Sequence, residues 1–177
     1  DDNASGVALL IDVARYLSAN QPKGTRRTMV FQAFGAEEPG LWGSKYAAVH
    51  PPLPIETVTA MVNMDMVGRL RQNRLSIHGA GSSSEWPSLV NTVNTDQLLL
   101  DFTAQPQGAS DHLTYFLREK PVLHLTTGGH DQYHTPDDDV GLINYKGMSR
   151  IGGLVARLVS GLATRPEPLP VNPVVPE

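Results

Sequence analysis

Apolar residues recur along the chain with two periods, and the alternation between those periods predicts the order of elements. Over residues 4–19, Val7, Leu10, Ile11, Ala14 and Leu17 fall on one helical face. Asn3 or Ser5 can cap that helix, Asp1 and Asp2 suit its positive end, and Gln21-Pro22-Lys23-Gly24 ends it. The continuous apolar run at 28–34, bounded by Gly35, predicts a buried strand. A short helix over 44–49 is stopped by Pro51 and Pro52. A second strand at 57–62 delivers Asn63-Met64-Asp65-Met66-Val67-Gly68, and 74–77 reads as a third, short one. Ser84 can cap a helix with Pro87 in its first turn, reaching about Thr95. A strand at 98–102, a helix capped by Ser110 and running to Leu117, and a strand at 121–126 follow. The glycine-rich loop 128–134 comes next, then a helix capped by Asn144 with the stripe Met148, Ile151, Val155, Leu158 and Leu162.

Strands alternating with helices predict an α/β fold, a three-layer α/β/α sandwich around a mostly parallel or mixed sheet. A chain of 177 residues fits one domain with a sizeable core. Residues 1–165 read as that domain. From 166 to 177 the chain turns to proline (Pro166, Pro168, Pro170, Pro173, Pro176) and reads as an extended tail or linker. No internal repeat is found.

Net charge −4 gives no sign of nucleic-acid binding. No apolar run approaches the length of a membrane span, and no signal peptide opens the chain. The start at Asp1, without an initiator methionine, reads as that of a fragment, a processed chain or a cut inside a domain. The absence of cysteine excludes disulfides, thiolate metal sites and a cysteine nucleophile. Any metal must then be held by Asp, Glu and His, which suits zinc or another divalent ion.

Two adjacent glutamates, Glu37 and Glu38, at the mouth of an apolar strand are costly unless something there needs negative charge. In open α/β sheets that edge is where ligands bind. Adjacent side chains diverge, so one can hold a metal while the other handles a proton on the metal's water. Asp65 closes the second strand, His134 lies beyond the strand ending at Thr126, and Asp1 and Asp2 precede the first helix. If the strands are parallel these groups converge on one sheet edge. Clustered carboxylates repel unless protonated or bridged by cations, and one or two divalent ions resolve the conflict. Each residue taken alone has a plainer reading: a solvated loop for the glutamates, a turn for Asp65, a frayed terminus for Asp1. His130 and His134 sit four apart, but Gly128, Gly129 and Pro136 argue for a loop, which leaves His134 as the candidate ligand. Asp111 and His112 read as bracing a helix, His124 as a packed core residue, and His50 and His78 as surface. The run Asp137-Asp138-Asp139 reads as a solvated turn, with Asp137 placed to orient the ligand histidine.

Asp1-Asp2-Asn3-Ala4-Ser5-Gly6, Gly35-Ala36-Glu37-Glu38-Pro39-Gly40-Leu41-Trp42-Gly43-Ser44, Asn63-Met64-Asp65-Met66-Val67-Gly68, Ser110-Asp111-His112 and Tyr133-His134-Thr135-Pro136-Asp137 occur in this order. Together they resemble the M28 family of zinc aminopeptidases and carboxypeptidases, over essentially the whole chain before the proline-rich tail. The resemblance implies a zinc-exopeptidase-like fold, truncated at its N-terminus, and hydrolysis of N-terminal peptide bonds in peptides with a free N-terminus. It implies that the first aspartate of the pair, Asp1, bridges two zinc ions and joins the next residue by a cis peptide. Glu37 is then the general base, Glu38 and His134 bind one zinc, Asp65 binds the other, and Tyr133 stabilises the oxyanion. A further histidine, from a His-x-Asp motif upstream of Asp1, belongs to the family's second zinc site, so one or two ions are expected here. The resemblance also implies a secreted or periplasmic parent protein. The rivals are a glutaminyl-cyclase-like enzyme with one zinc, against which Tyr133 stands where cyclases have tryptophan, and a metal-poor fragment or binding module of the same fold.

Overall fold

A computed structural model describes residues 1–172. Its helices are α1 (Ala4–Ala19), α2 (Trp42–Val49), α3 (Trp86–Val93), α4 (His112–Phe116) and α5 (Tyr145–Thr164). Its strands are β1 (Met61–Met64), β2 (Arg74–His78), β3 (Leu99–Phe102) and β4 (Val122–Thr126). They form one mixed sheet in the order β1-β4-β2-β3, with β1 parallel to β4, β2 parallel to β3, and β4 antiparallel to β2.

Side chains alternate across a pleated strand, and here the alternation separates two chemistries. Leu75 and Ile77 of β2 and Leu123 and Leu125 of β4 join Leu9 and Val13 of α1 and Ile151 and Leu154 of α5 in one buried cluster. Each such side chain contributes about 1.5–3 kcal/mol by leaving water. The intervening positions are polar: Ser76 and His78 on β2, His124 on β4, Asn63 on β1. Helix α4 packs against β1 and β4, and α2 against α4, while α1 and α3 pack along α5.

Helix α1 is capped as expected, Asn3 Oδ1 accepting from Gly6 N at 3.0 Å. Its buried face differs from the predicted stripe. Leu9, Val13 and Leu17 are buried, whereas Val7 and Ile11 are exposed. The partner decides this: Gly152 of α5 lies so close that a Cβ there would meet Leu9 Cδ1 at 2.7 Å. Helix α5 keeps its predicted cap, with Asn144 Oδ1 accepting from Gly147 N at 2.8 Å.

Residues 28–34 form no regular element, and among the described residues they pair with no strand. A groove of about 430 Å³ separates them from the β1 edge, lined by Met29, Phe31, Val58 and Met61 among others. None of residues 28–34 is buried either, Val30 and Phe31 being 48% and 36% exposed: the apolar run marks a groove wall and not the core, and a strand also requires a neighbour's backbone at ladder distance. The strand expected at 57–62 begins later, because Ile55–Thr57 forms a 3-10 turn. Ser84 does not cap α3; Glu85 holds that position without a side-chain bond. Nor is the proline-rich segment free of the body. Leu169 is buried in the core, and Asn172 Nδ2 donates to Gly81 O at 2.8 Å. Pro173 and Pro176 lie outside the described residues.

Candidate metal centre

The glutamate loop is closed by its own backbone. Gly43 N donates to Gly35 O at 3.0 Å and Trp42 N to Ala36 O at 2.9 Å, while Gly40 N and Leu41 N both donate to Glu37 O. Holding that closure puts Ala36 and Leu41 at φ 53° and 60°, in the left-handed region, where a side chain costs energy. The result projects Glu37 and Glu38 from a fixed turn.

Three elements meet at one point. His134 Nε2 lies 2.9 Å from Glu38 Oε1 and 3.2 Å from Asp2 Oδ2. One donor atom from each of Asp2, Glu38 and His134 falls within 4.8 Å of the others, the spacing of a tripod on a cation. Asp2 is raised above the ordinary aspartate range, first by burial and then by the charge of Glu38. Two carboxylates converging on one imidazole nitrogen is an arrangement that a divalent ion relieves.

Asp65, at the end of β1, borders this group. Its Oδ2 accepts from Ser110 Oγ at 2.8 Å, while its Oδ1 is buried without a partner. Burial raises the Asp65 carboxyl, against the Ser110 hydrogen bond, and the charges of Asp2, Asp111 and Glu38 raise it further. Glu37 is pushed up to about 7, first by burial and then by Asp65, Glu38, Asp111 and Asp2. Tyr133 stacks on His134 with ring centroids 3.7 Å apart. Burial, then the charges of Asp2, Glu38, Asp65 and Glu37, keep its phenol protonated and therefore a donor.

Asp1 does not join this cluster. Its Oδ1 accepts from Ser5 Oγ at 2.6 Å and Gly68 N at 2.8 Å, tying the start of α1 to the loop after β1. The aspartate that faces Glu38 and His134 is its neighbour Asp2, because adjacent side chains diverge and only one can point to the cluster. The cis peptide expected between Asp1 and Asp2 joins Asp2 to Asn3 instead. Asp137 is exposed and does not orient His134, and its neighbour Asp138 holds the start of the chain instead. The backbone nitrogens of Asp1 and Asp2 donate to Asp138 Oδ2 at 2.7 and 2.9 Å, and Arg69 Nη2 donates to Oδ1. Although burial acts in the opposite direction, those donors hold Asp138 below the ordinary carboxylate range. Arg69 also reaches Gln132 Oε1, so one buried guanidinium braces the loop that carries His134. No spacing in the sequence marks Arg69, because its partners are 63 and 69 residues away.

The family model for peptidase family M28 matches residues 1–159. The chain belongs to peptidase family M28. Aminopeptidase YwaD of Bacillus subtilis is 27% identical to this M28 chain over 170 residues, covering 90% of the chain and 36% of that relative. The structure of BSAP, a zinc aminopeptidase from Bacillus subtilis, superposes with a TM-score of 0.78 at 25% identity, over 94% of the M28 chain and 43% of its own. Glutaminyl cyclase of Porphyromonas gingivalis shares the fold, with a TM-score of 0.68 at 21% identity, over 90% of this chain and 62% of that one. The M28 chain thus spans about a third of YwaD and under half of BSAP. Among its described residues no helix is long and apolar enough to cross a membrane.

Proposed function

We propose that the chain carries the zinc site of an aminopeptidase, with Asp2, Glu38 and His134 as ligands, Asp65 as the ligand of a second ion beside Asp2, and Glu37 as general base. The observation that carries the reading is His134 Nε2 within 3.2 Å of carboxylates from two other segments. The substrate class is a peptide with a free N-terminus, whose amine the acidic cluster attracts.

Bound zinc supplies Lewis-acid activation, lowering the pKa of a water to roughly 7 and polarising the scissile carbonyl. Glu37, its own affinity for protons already raised, takes the proton from the attacking water and returns it to the leaving amine. Tyr133, held against His134, donates toward the carbonyl oxygen as charge develops there. A single-zinc cyclase is the rival. The buried Asp65 Oδ1 without a partner favours an additional cation, and Tyr133 supports the peptidase over the cyclase.

The test combines zinc titration with hydrolysis of an aminoacyl anilide. Glu38→Ala and His134→Ala are expected to abolish the zinc bound by Asp2, Glu38 and His134. Glu37→Gln is expected to retain zinc and lose about 10²–10⁴-fold in turnover, the usual share of a general base. Turnover that survives Glu37→Gln overturns the mechanism. A chain indifferent to zinc overturns the metal site and favours a non-catalytic module of the same fold.

A further inference from the structure

A row of polar side chains crosses the sheet beneath the acidic cluster. Asn63 of β1 is the register partner of His124 on β4, and His124 is that of His78 on β2. Strand alternation therefore brings the three onto one face. His112 from α4 lies flat on His124, with centroids 4.4 Å apart and rings 8° from parallel, and His78 flanks it at 5.6 Å. His112 is wholly buried and His124 nearly so.

The hydrogen bonds along this row have one consistent direction. Asn63 Nδ2 donates to Ser110 Oγ at 2.8 Å and lies 3.1 Å from His124 Nδ1. An amide nitrogen only donates, so His124 Nδ1 accepts and its ring proton sits on Nε2. The Ser110 oxygen accepts from Asn63, and its single hydrogen goes to Asp65 Oδ2. The other oxygen of that carboxylate, Asp65 Oδ1, is left without a partner, as are Asp1 Oδ2 and Asp111 Oδ1.

We propose that His124 and Asn63 are positioning residues for the acidic site. The Nε2–H tautomer of His124 orients Asn63, Asn63 orients the Ser110 hydroxyl, and that hydroxyl holds Asp65 with Oδ1 free for a cation. The proposal rests on the reading of Asp65 as a metal ligand. A proton on His124 Nδ1 would demand the Asn63 amide oxygen in place of its nitrogen. The Ser110 hydrogen would then turn to that oxygen and leave Asp65. Burial, with His112 and His78 as neighbours, keeps His124 neutral. Stacked rings on two sides leave little room for water to reach it.

Long-range proton–nitrogen correlation NMR on the zinc-free chain reads the tautomer without any substitution. The expected result at pH 7 is His124 protonated on Nε2 and bare on Nδ1. A proton on Nδ1, or a doubly protonated ring, overturns the proposal. Zinc competition against a chromophoric chelator supplies the second arm. Asn63→Leu removes both donors, and His124→Phe keeps a ring in the stack without an acceptor. Both are expected to weaken, by about tenfold, the zinc ion whose binding Asp65→Asn impairs, the effect usual for an outer partner of a ligand. If Asp65→Asn weakens zinc and neither of the others does, the positioning role is overturned while the ligand reading stands. If Asp65→Asn itself changes nothing, the ligand reading of Asp65 falls and the proposal falls with it.

Discussion

Glu37 is where the electrostatics of the site concentrate in one group. Its carboxyl titrates near 4.5 when unfolded and near 7 in the fold, raised first by burial and then by four neighbouring acids. Between those values the folded chain holds a proton that the unfolded chain has released. The cost of ionised Glu37 is therefore complete above about pH 7 and disappears as pH falls toward 4.5. Glu37→Gln is expected to stabilise the zinc-free chain at pH 8 and to leave it unchanged at pH 4.5, read from urea midpoints. An equal shift at both values would contradict the cause assigned here. The pair Asp1 and Asp2 shows what a residue pattern can and cannot decide. The sequence places an aspartate at the cluster, but only the loop geometry selects Asp2, because Asp1 turns its Oδ1 to Ser5 and Gly68 and its Oδ2 toward His130.

At the scale of elements, the glutamate turn depends on a close approach at Gly43. A Cβ there would sit 2.3 Å from Gly35 O. Gly43→Ala is expected to cost about 1–3 kcal/mol, as overpacking does, and to displace Glu38 from His134. Thermal melting and zinc titration of the variant check both effects. The imidazole stack makes a second, opposite pH signature. Burial lowers His112 from 6.5 to about 4, so its neutral form contributes stability that is present above 6.5 and lost as pH falls toward 4. His112→Gln is expected to remove up to about 3 kcal/mol of that pH dependence, measured as the difference between wild-type and variant unfolding free energies across the window. The stack was not legible from single residues. His124 reads correctly as a core position, but His78 reads as surface because its strand is short and its neighbour β4 lies far along the chain.

For the whole molecule, the acidic cluster is a source of strain that a cation relieves. Zinc at a hundred times its dissociation constant is expected to stabilise the fold by about 2.7 kcal/mol, and a chelator to reverse the gain. A melting temperature indifferent to both would mean that the carboxylates are accommodated by protonation alone. The groove between residues 28–34 and β1 belongs to the same scale. Its apolar walls account for the apolar run at 28–34, whose residues stay at least partly exposed and, among the described residues, have no adjacent ladder to join.

The sequence by itself determined the alternation of helices and strands, the cap at Asn144, a cap at Asn3 or Ser5, and the identity of Glu37, Glu38, Asp65 and His134 as candidates. These follow from local period, local hydrogen bonding and the chemistry of side chains, all of which act over a few residues. The tertiary structure decided which aspartate faces His134, which face of α1 is buried, and which residues brace the site. Those outcomes depend on contacts such as Arg69 with Asp138 and Asn63 with His124, whose partners are more than sixty positions apart. Their energies exist only once the sheet has set the register that joins them.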